Sequence, residues 1–108
     1  MTLNEYQDQA LKTSIYPDDM SIIYPLIGLS GEVGELAEKV KKTIRDNNKH
    51  FDVLKRAELA IELGDVLWYV AAMASDLGYT LEDVGNINLT KTGDRNERGT
   101  LHGSGDYR

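Results

Sequence analysis

Apolar residues recur at helical intervals along most of the chain, in four blocks divided by short polar breaks. Leu3, Tyr6, Ala10 and Leu11 lie on one face of the first block, about Thr2 to Thr13, where Thr2 and Glu5 have the spacing of a capping box. Tyr16-Pro17-Asp18-Asp19 breaks that pattern. The second block runs from near Ile22 or Pro25 to about Arg45, with Leu26, Leu29, Val33, Leu36, Ala37, Val40 and Ile44 as its stripe. Pro25 suits a first turn, where a missing N–H goes unnoticed, and Asp46-Asn47-Asn48-Lys49-His50 supplies the stop. The third block, about Asp52 to Leu77, is apolar on two faces, one through Ile61, Trp68 and Ala71 and the other through Leu63, Val70 and Met73. Such a helix is expected to be central, packed on the second helix of its own chain and on a copy of itself from another. Gly78 closes it, and Thr80-Leu81-Glu82-Asp83 opens a fourth helix of about Thr80 to Arg95.

The pattern predicts an all-α fold, a helical hairpin extended to a four-helix-bundle-like unit, with no strand and no internal repeat. At 108 residues the chain is one small domain, expected over 1–98, with a glycine-rich polar tail over 99–108 that is flexible unless something holds it. Helical chains this short often complete their burial by association, so a homodimer or homotetramer is expected. The net charge of -6 disfavours nucleic acid and anionic membranes as partners, since both select positive surfaces. The absence of cysteine removes disulfides, thiolate zinc and thiol catalysis together. With no signal-like start and no spanning apolar run, the expected location is the cytoplasm.

Charge changes the picture most at two places. Glu32 and Glu35, in Gly31-Glu32-Val33-Gly34-Glu35, and Glu62 and Asp65, in Glu62-Leu63-Gly64-Asp65, are each three residues apart, so each pair shares a helix face. Antiparallel packing can bring the four acids together, and they then repel one another unless a cation intervenes. Hard divalent ions take oxygen ligands, and Mg²⁺ keeps positions open for water and phosphate, which points to metal-assisted phosphate chemistry. Any one acid taken alone is ordinary solvated helix surface. The glycines at 31, 34 and 64 each cost roughly 1 kcal/mol in a helix, which close helix approach around an ion would justify; so would close packing without one.

Residues Gly28 to Asp65 resemble the MazG-like all-α nucleoside triphosphate pyrophosphohydrolases, whose Glu-x-x-Glu and Glu-x-x-Asp pairs fall here on Glu32, Glu35, Glu62 and Asp65. The run Glu62-Leu63-Gly64-Asp65-Val66-Leu67-Trp68-Tyr69 shares their wording, and the resemblance continues through Asn88, Lys91, Arg95 and the ending Gly103-Ser104-Gly105-Asp106-Tyr107-Arg108. It implies that residues 1–98 are a MazG-like domain and that the chain hydrolyses a (deoxy)nucleoside triphosphate to the monophosphate and pyrophosphate. Mg²⁺ is the implied metal, with Mn²⁺ a substitute, and the assembly is built from helical hairpins. The four acids are then metal ligands and catalytic groups, a water activated by the metal attacking the α-phosphorus; Glu38, one turn beyond Glu35, is an additional candidate.

Lys91 and Arg95, four apart on one helix face, are candidates for holding phosphates; the bland reading is a cationic helix end, and the resemblance favours the first. Trp68 and Tyr69 lie one turn beyond Asp65, near enough to stack on a base, with Trp68 equally suited to the core and Tyr69 matching a family aromatic beside the base. Asn88 offers a donor and an acceptor to a base or sugar, or is simply solvated. His50 and His102 have no partner at ligand spacing and read as surface residues. Two other functions compete. One is a phosphoribosyl-ATP pyrophosphohydrolase with the same fold and acids; the other is a non-catalytic metal-binding helical interaction module. A di-iron bundle is excluded because no His follows either acid pair at the required spacing.

Overall fold

The computed structural model describes residues 1–107. It contains four helices, α1 (Leu3–Leu11), α2 (Ile23–Asn47), α3 (Val53–Asp76) and α4 (Leu81–Arg98), and a 3₁₀ turn at Asp18–Met20. Three helix starts are fixed by side chains that satisfy otherwise orphaned amides. Thr2 Oγ1 accepts the Glu5 N–H at 3.0 Å, Asp52 Oδ1 accepts that of Lys55 at 2.8 Å, and Thr80 and Asp83 form a full reciprocal box. The ends are equally local: Gly78 and Gly99 take positive φ, as does Asn48, turning the chain out of α3, α4 and α2. α4 therefore runs past the expected Arg95 to Arg98, and α2 past Arg45 to Asn47.

The start of α2 is different. Ile22 precedes it at φ +70°, a conformation that crowds a β-branched side chain. Its amide donates to Asp76 Oδ2 at 2.9 Å, the same oxygen that accepts the Tyr16 hydroxyl at 2.7 Å. The last residue of α3 thus anchors the loop between α1 and α2. Tyr16 also stacks on Tyr24, with ring centroids 4.8 Å apart.

α2 and α3 form the hairpin that dominates the fold. α1 crosses the second half of α3, and α4 meets α1 and α3 at its own N-terminal end, through Leu81, Glu82 and Gly85. The core lies at that crossing and is small: Ala71, Ala74 and Leu81, with Tyr6 and Val70 packed against it. Gln7 is buried there, its Nε2 donating to the carbonyls of Ala71 and Tyr79 and its Oε1 accepting the Leu81 N–H. Trp68 Nε1 similarly donates to Ala10 O and Thr13 Oγ1, so polar side chains tie α1 to α3.

Much of the apolar pattern has no cover within the chain. The third helix, expected to be central on two faces, leaves Leu54 and Ile61 76 % and 68 % exposed, and α2 leaves Leu26, Val33 and Ile44 about half exposed. Ala60, Leu63, Gly64, Val66, Leu67 and Val70 line an open apolar groove along α3. A compact monomer of this mass exposes about 6,000 Å²; this chain exposes 7807 Å². Its radius of gyration is 16.7 Å, against about 13 Å for a compact domain of this length. Among the described residues no helix is long and apolar enough to cross a membrane.

Candidate functional site

The helical hairpin sets Glu32 and Glu35 of α2 against Glu62 of α3. One carboxylate oxygen from each lies within 4.8 Å of the others. Asp65, one turn along from Glu62, adds its charge to Glu32, and the two share a pocket of about 320 Å³ with Thr13, Trp68 and Tyr69. Of the four predicted acids, three therefore form one tight group and Asp65 lies at the adjoining pocket wall.

Its electrostatics are those of a site short of positive charge. Burial, followed by the charges of Glu35, Asp65 and Glu62, holds the Glu32 carboxyl above the usual carboxylate range. Glu62 is pushed the other way, chiefly because Lys39 Nζ donates to it. Glu62 is only 8 % exposed, and Lys39 contacts its Oε1 at 2.8 Å. Glu32 Oε2 and Glu62 Oε2 are buried without a hydrogen-bond partner. An orphaned carboxylate oxygen is costly in a protein interior, and two of them within a group of hard oxygen donors fit a divalent cation such as Mg²⁺ or Mn²⁺.

The surrounding wall is aromatic. The Tyr69 ring lies so close to Gly28 that a Cβ there would overlap it, and burial is the main cause of its phenol being raised, with Tyr24, Glu32 and Asp65 adding to it. Trp68 meets Tyr69 edge to face at 5.0 Å. Trp68 is thus both pocket wall and anchor for α1, whereas Tyr69 is pocket wall packed against Gly28 of α2.

Several expectations shift. Glu38 is not in the group: Lys41 and Lys42 of its own helix take its carboxylate, at 2.8 and 3.9 Å. The glycines beside the acids do not mark close helix approach within the chain, since a Cβ at Gly31, Gly34 or Gly64 would meet nothing within 4 Å. Gly28 is where the backbone makes room. Lys91 and Arg95 do share a helix face, but what they hold is the tail. Lys91 Nζ donates to Asp106 Oδ1 at 3.2 Å, and Arg95, 5 % exposed, donates Nη2–H to Asp106 O at 2.7 Å and Gly105 O at 3.3 Å. Among the described residues the ion pairs of these two cations run to Asp106 and not to the four acids. The tail is accordingly held on α4 through Gly105 and Asp106; Arg108 lies outside the described residues. Asn88 is exposed, and its carbonyl accepts the Thr92 hydroxyl.

Two residues at the site had not been singled out. Lys39 follows Glu35 by four positions, an acid-to-lysine spacing that places it on the acids' face and would have flagged it. Thr13 lies in a loop, where no periodicity reports what a side chain faces.

A family model, the MazG nucleotide pyrophosphohydrolase domain, matches residues 25–100. The "Gene 37 protein" of Mycobacterium phage L5 is 43% identical over 114 residues, with all of both chains covered. No solved structure matches.

Proposed function

Because the chain belongs to the MazG nucleotide pyrophosphohydrolase family, we propose that it hydrolyses a (deoxy)nucleoside triphosphate to the monophosphate and pyrophosphate, with Glu32, Glu35, Glu62 and Asp65 holding Mg²⁺. The observation that carries this reading is the meeting of Glu32, Glu35 and Glu62 across the hairpin, with two buried, unpartnered oxygens, Glu32 Oε2 and Glu62 Oε2, among their carboxylates. Bound there, Mg²⁺, or Mn²⁺ in its place, supplies charge neutralisation of the phosphates and makes water a better nucleophile near neutral pH. One of the four carboxylates accepts a proton from the attacking water. Water adds to the α-phosphorus, the α–β bridging oxygen leaves with pyrophosphate, and the proton passes to the carboxylate. Tyr69 and Trp68 form an aromatic wall for the base.

The phosphate-binding role belongs to Lys91 and Arg95. Asp106 sits on them as an anion of the chain itself, so a bound triphosphate takes its place. They reach an acid group from a second copy, in a homodimer or homotetramer seated on the bare face of α3. The exposed groove along that helix and the open glycines at 31, 34 and 64 support this assembly. The enzyme works in the cytoplasm.

Incubation with a panel of NTPs and dNTPs, with chromatography of the products, tests the reaction. The expected result is monophosphate and pyrophosphate in Mg²⁺ and no turnover in EDTA. A diphosphate with orthophosphate overturns attack at the α-phosphorus. Silence across the whole panel overturns the enzymatic reading.

A further inference from the structure

The ion pairs of the α2–α3 hairpin are nearly all local. Lys41 and Lys42 pair with Glu38 on α2, Arg45 with the adjacent Asp46, and Lys55 with Glu58 on α3. Lys39 is the exception: among the described residues it makes the one ion pair that crosses from α2 to α3, and it crosses onto an acid of the candidate site. Its position follows from helix geometry, because residue 39 lies one turn beyond Glu35 and two beyond Glu32 on the same face. Glu58 and Glu35 act on the same ammonium.

The contact is selective between the two oxygens of Glu62. Oε1 accepts from Lys39 at 2.8 Å, while Oε2 is buried with no partner. The ammonium therefore occupies one oxygen of Glu62 and leaves the other, buried and unpartnered, as an oxygen that Glu62 can offer beside Glu32 and Glu35. Lys39 also contributes the one positive charge that bridges the hairpin where acids from both helices converge.

We propose that Lys39 is a positioning residue, a tethered counter-cation that holds Glu62 by Oε1, keeps Oε2 available to the metal, and stabilises the acid group while no metal is bound. This rests on the reading of the acids as a metal site. Once a divalent cation neutralises Glu62, the counter-cation matters less to stability, and this yields a signature that packing of the lysine stem would not produce.

Melting curves of the full chain in EDTA and in saturating Mg²⁺ or Mn²⁺ test it with Lys39→Met, Lys39→Arg and the double variant Lys39→Met/Glu62→Gln. Lys39→Met should melt lower than wild type in EDTA, by on the order of 5 °C, and the metal should close most of that gap. Lys39→Arg should stay near wild type. The double variant should regain wild-type stability in EDTA, because no buried charge is then left unpaired; it also serves if Lys39→Met alone fails to fold. An undiminished melting temperature for Lys39→Met in EDTA, an equal deficit with and without metal, or no recovery in the double variant each overturns the proposal. If neither ion raises the melting temperature of wild type, the metal-site reading falls instead, and the EDTA comparison still decides whether Lys39 is the counter-charge of Glu62.

Discussion

The two halves of α3 differ in the size of their apolar residues and have opposite fates. From Trp68 to Asp76 the helix is tiled with alanines that allow α1 and α4 to approach, and Ala71 and Ala72 are completely buried. From Val53 to Leu67 it carries four leucines and an isoleucine where the other half has none, yet Leu54, Ile61 and Leu63 stand in solvent. The acids belong to the uncovered half. Small side chains near the crossing give cohesion, and large ones without partners leave a surface next to the chemistry. The lesson is that hydrophobic pattern reports which faces seek cover, while the identity of the cover is set elsewhere.

The contrast can be broken most sharply by one substitution in each half. Glu35→Gln or Asp65→Asn should lower turnover by more than about 100-fold, the upper range for merely supporting residues of metal sites, with the helical circular dichroism unchanged. Ala71→Glu should do the reverse, losing the helical signal because a carboxylate is forced into a fully buried position. A folded Asp65→Asn protein with normal turnover would remove the acids from the mechanism.

Leu63→Glu addresses what covers the uncovered half. By light scattering it should shift the protein to monomer, and activity should fall about 10-fold at micromolar concentration if Lys91 and Arg95 act across subunits. Wild type that is already monomeric and fully active would leave the groove without a role in assembly.

A smaller effect separates the halves by pH. Tyr16, anchored to Asp76 at the covered end, has its pKa raised to about 12, first by burial and then by that carboxylate. The folded chain keeps the phenolic proton where the unfolded chain releases it, so this contribution is intact below pH 10 and is lost as pH rises towards 12. Tyr16→Phe should flatten that alkaline slope in thermal melts. Glu32, at the uncovered end, is also raised, so in EDTA its contribution is present at acid pH and lost as pH rises through its elevated value. Saturating Mg²⁺ should abolish this second slope and leave the first.

Gly28→Ala makes the finest distinction. Its methyl must push the Tyr69 ring aside, which should raise KM a few-fold while kcat stays nearly constant. Equal loss in both would make Gly28 a residue of the fold and not of the pocket wall.

The legible parts of the sequence were those written locally. The caps at Thr2 and Thr80, the turn at Gly78, and the shared faces of the two acid pairs all depend on neighbours a few residues away, and the structure retains them. Spacing placed Lys91 and Arg95 on one face but could not reveal Asp106, eleven residues beyond Arg95, as their counter-ion. Glu38 has the same i+3 relation to Glu35 that Glu35 has to Glu32, yet α2 rotates it towards its own lysines. Ile22 at positive φ carries no warning at all, because the Asp76 carboxylate that receives its amide comes from the far end of α3.

Gln7 has a consequence for the order in which the chain comes together. Its three hydrogen bonds reach the carbonyls of Ala71 and Tyr79 and the amide of Leu81, so α1 docks onto a corner made from distant sequence. The α2–α3 hairpin needs only a short connection and can close early, whereas seating α1 closes a far longer loop. On a ribosome adding about 5–20 residues per second, the first helix emerges on the order of several seconds before its receptor exists. Throughout that interval Leu3, Tyr6 and Ala10 await a corner not yet synthesised, and the first helix made is among the last to be seated.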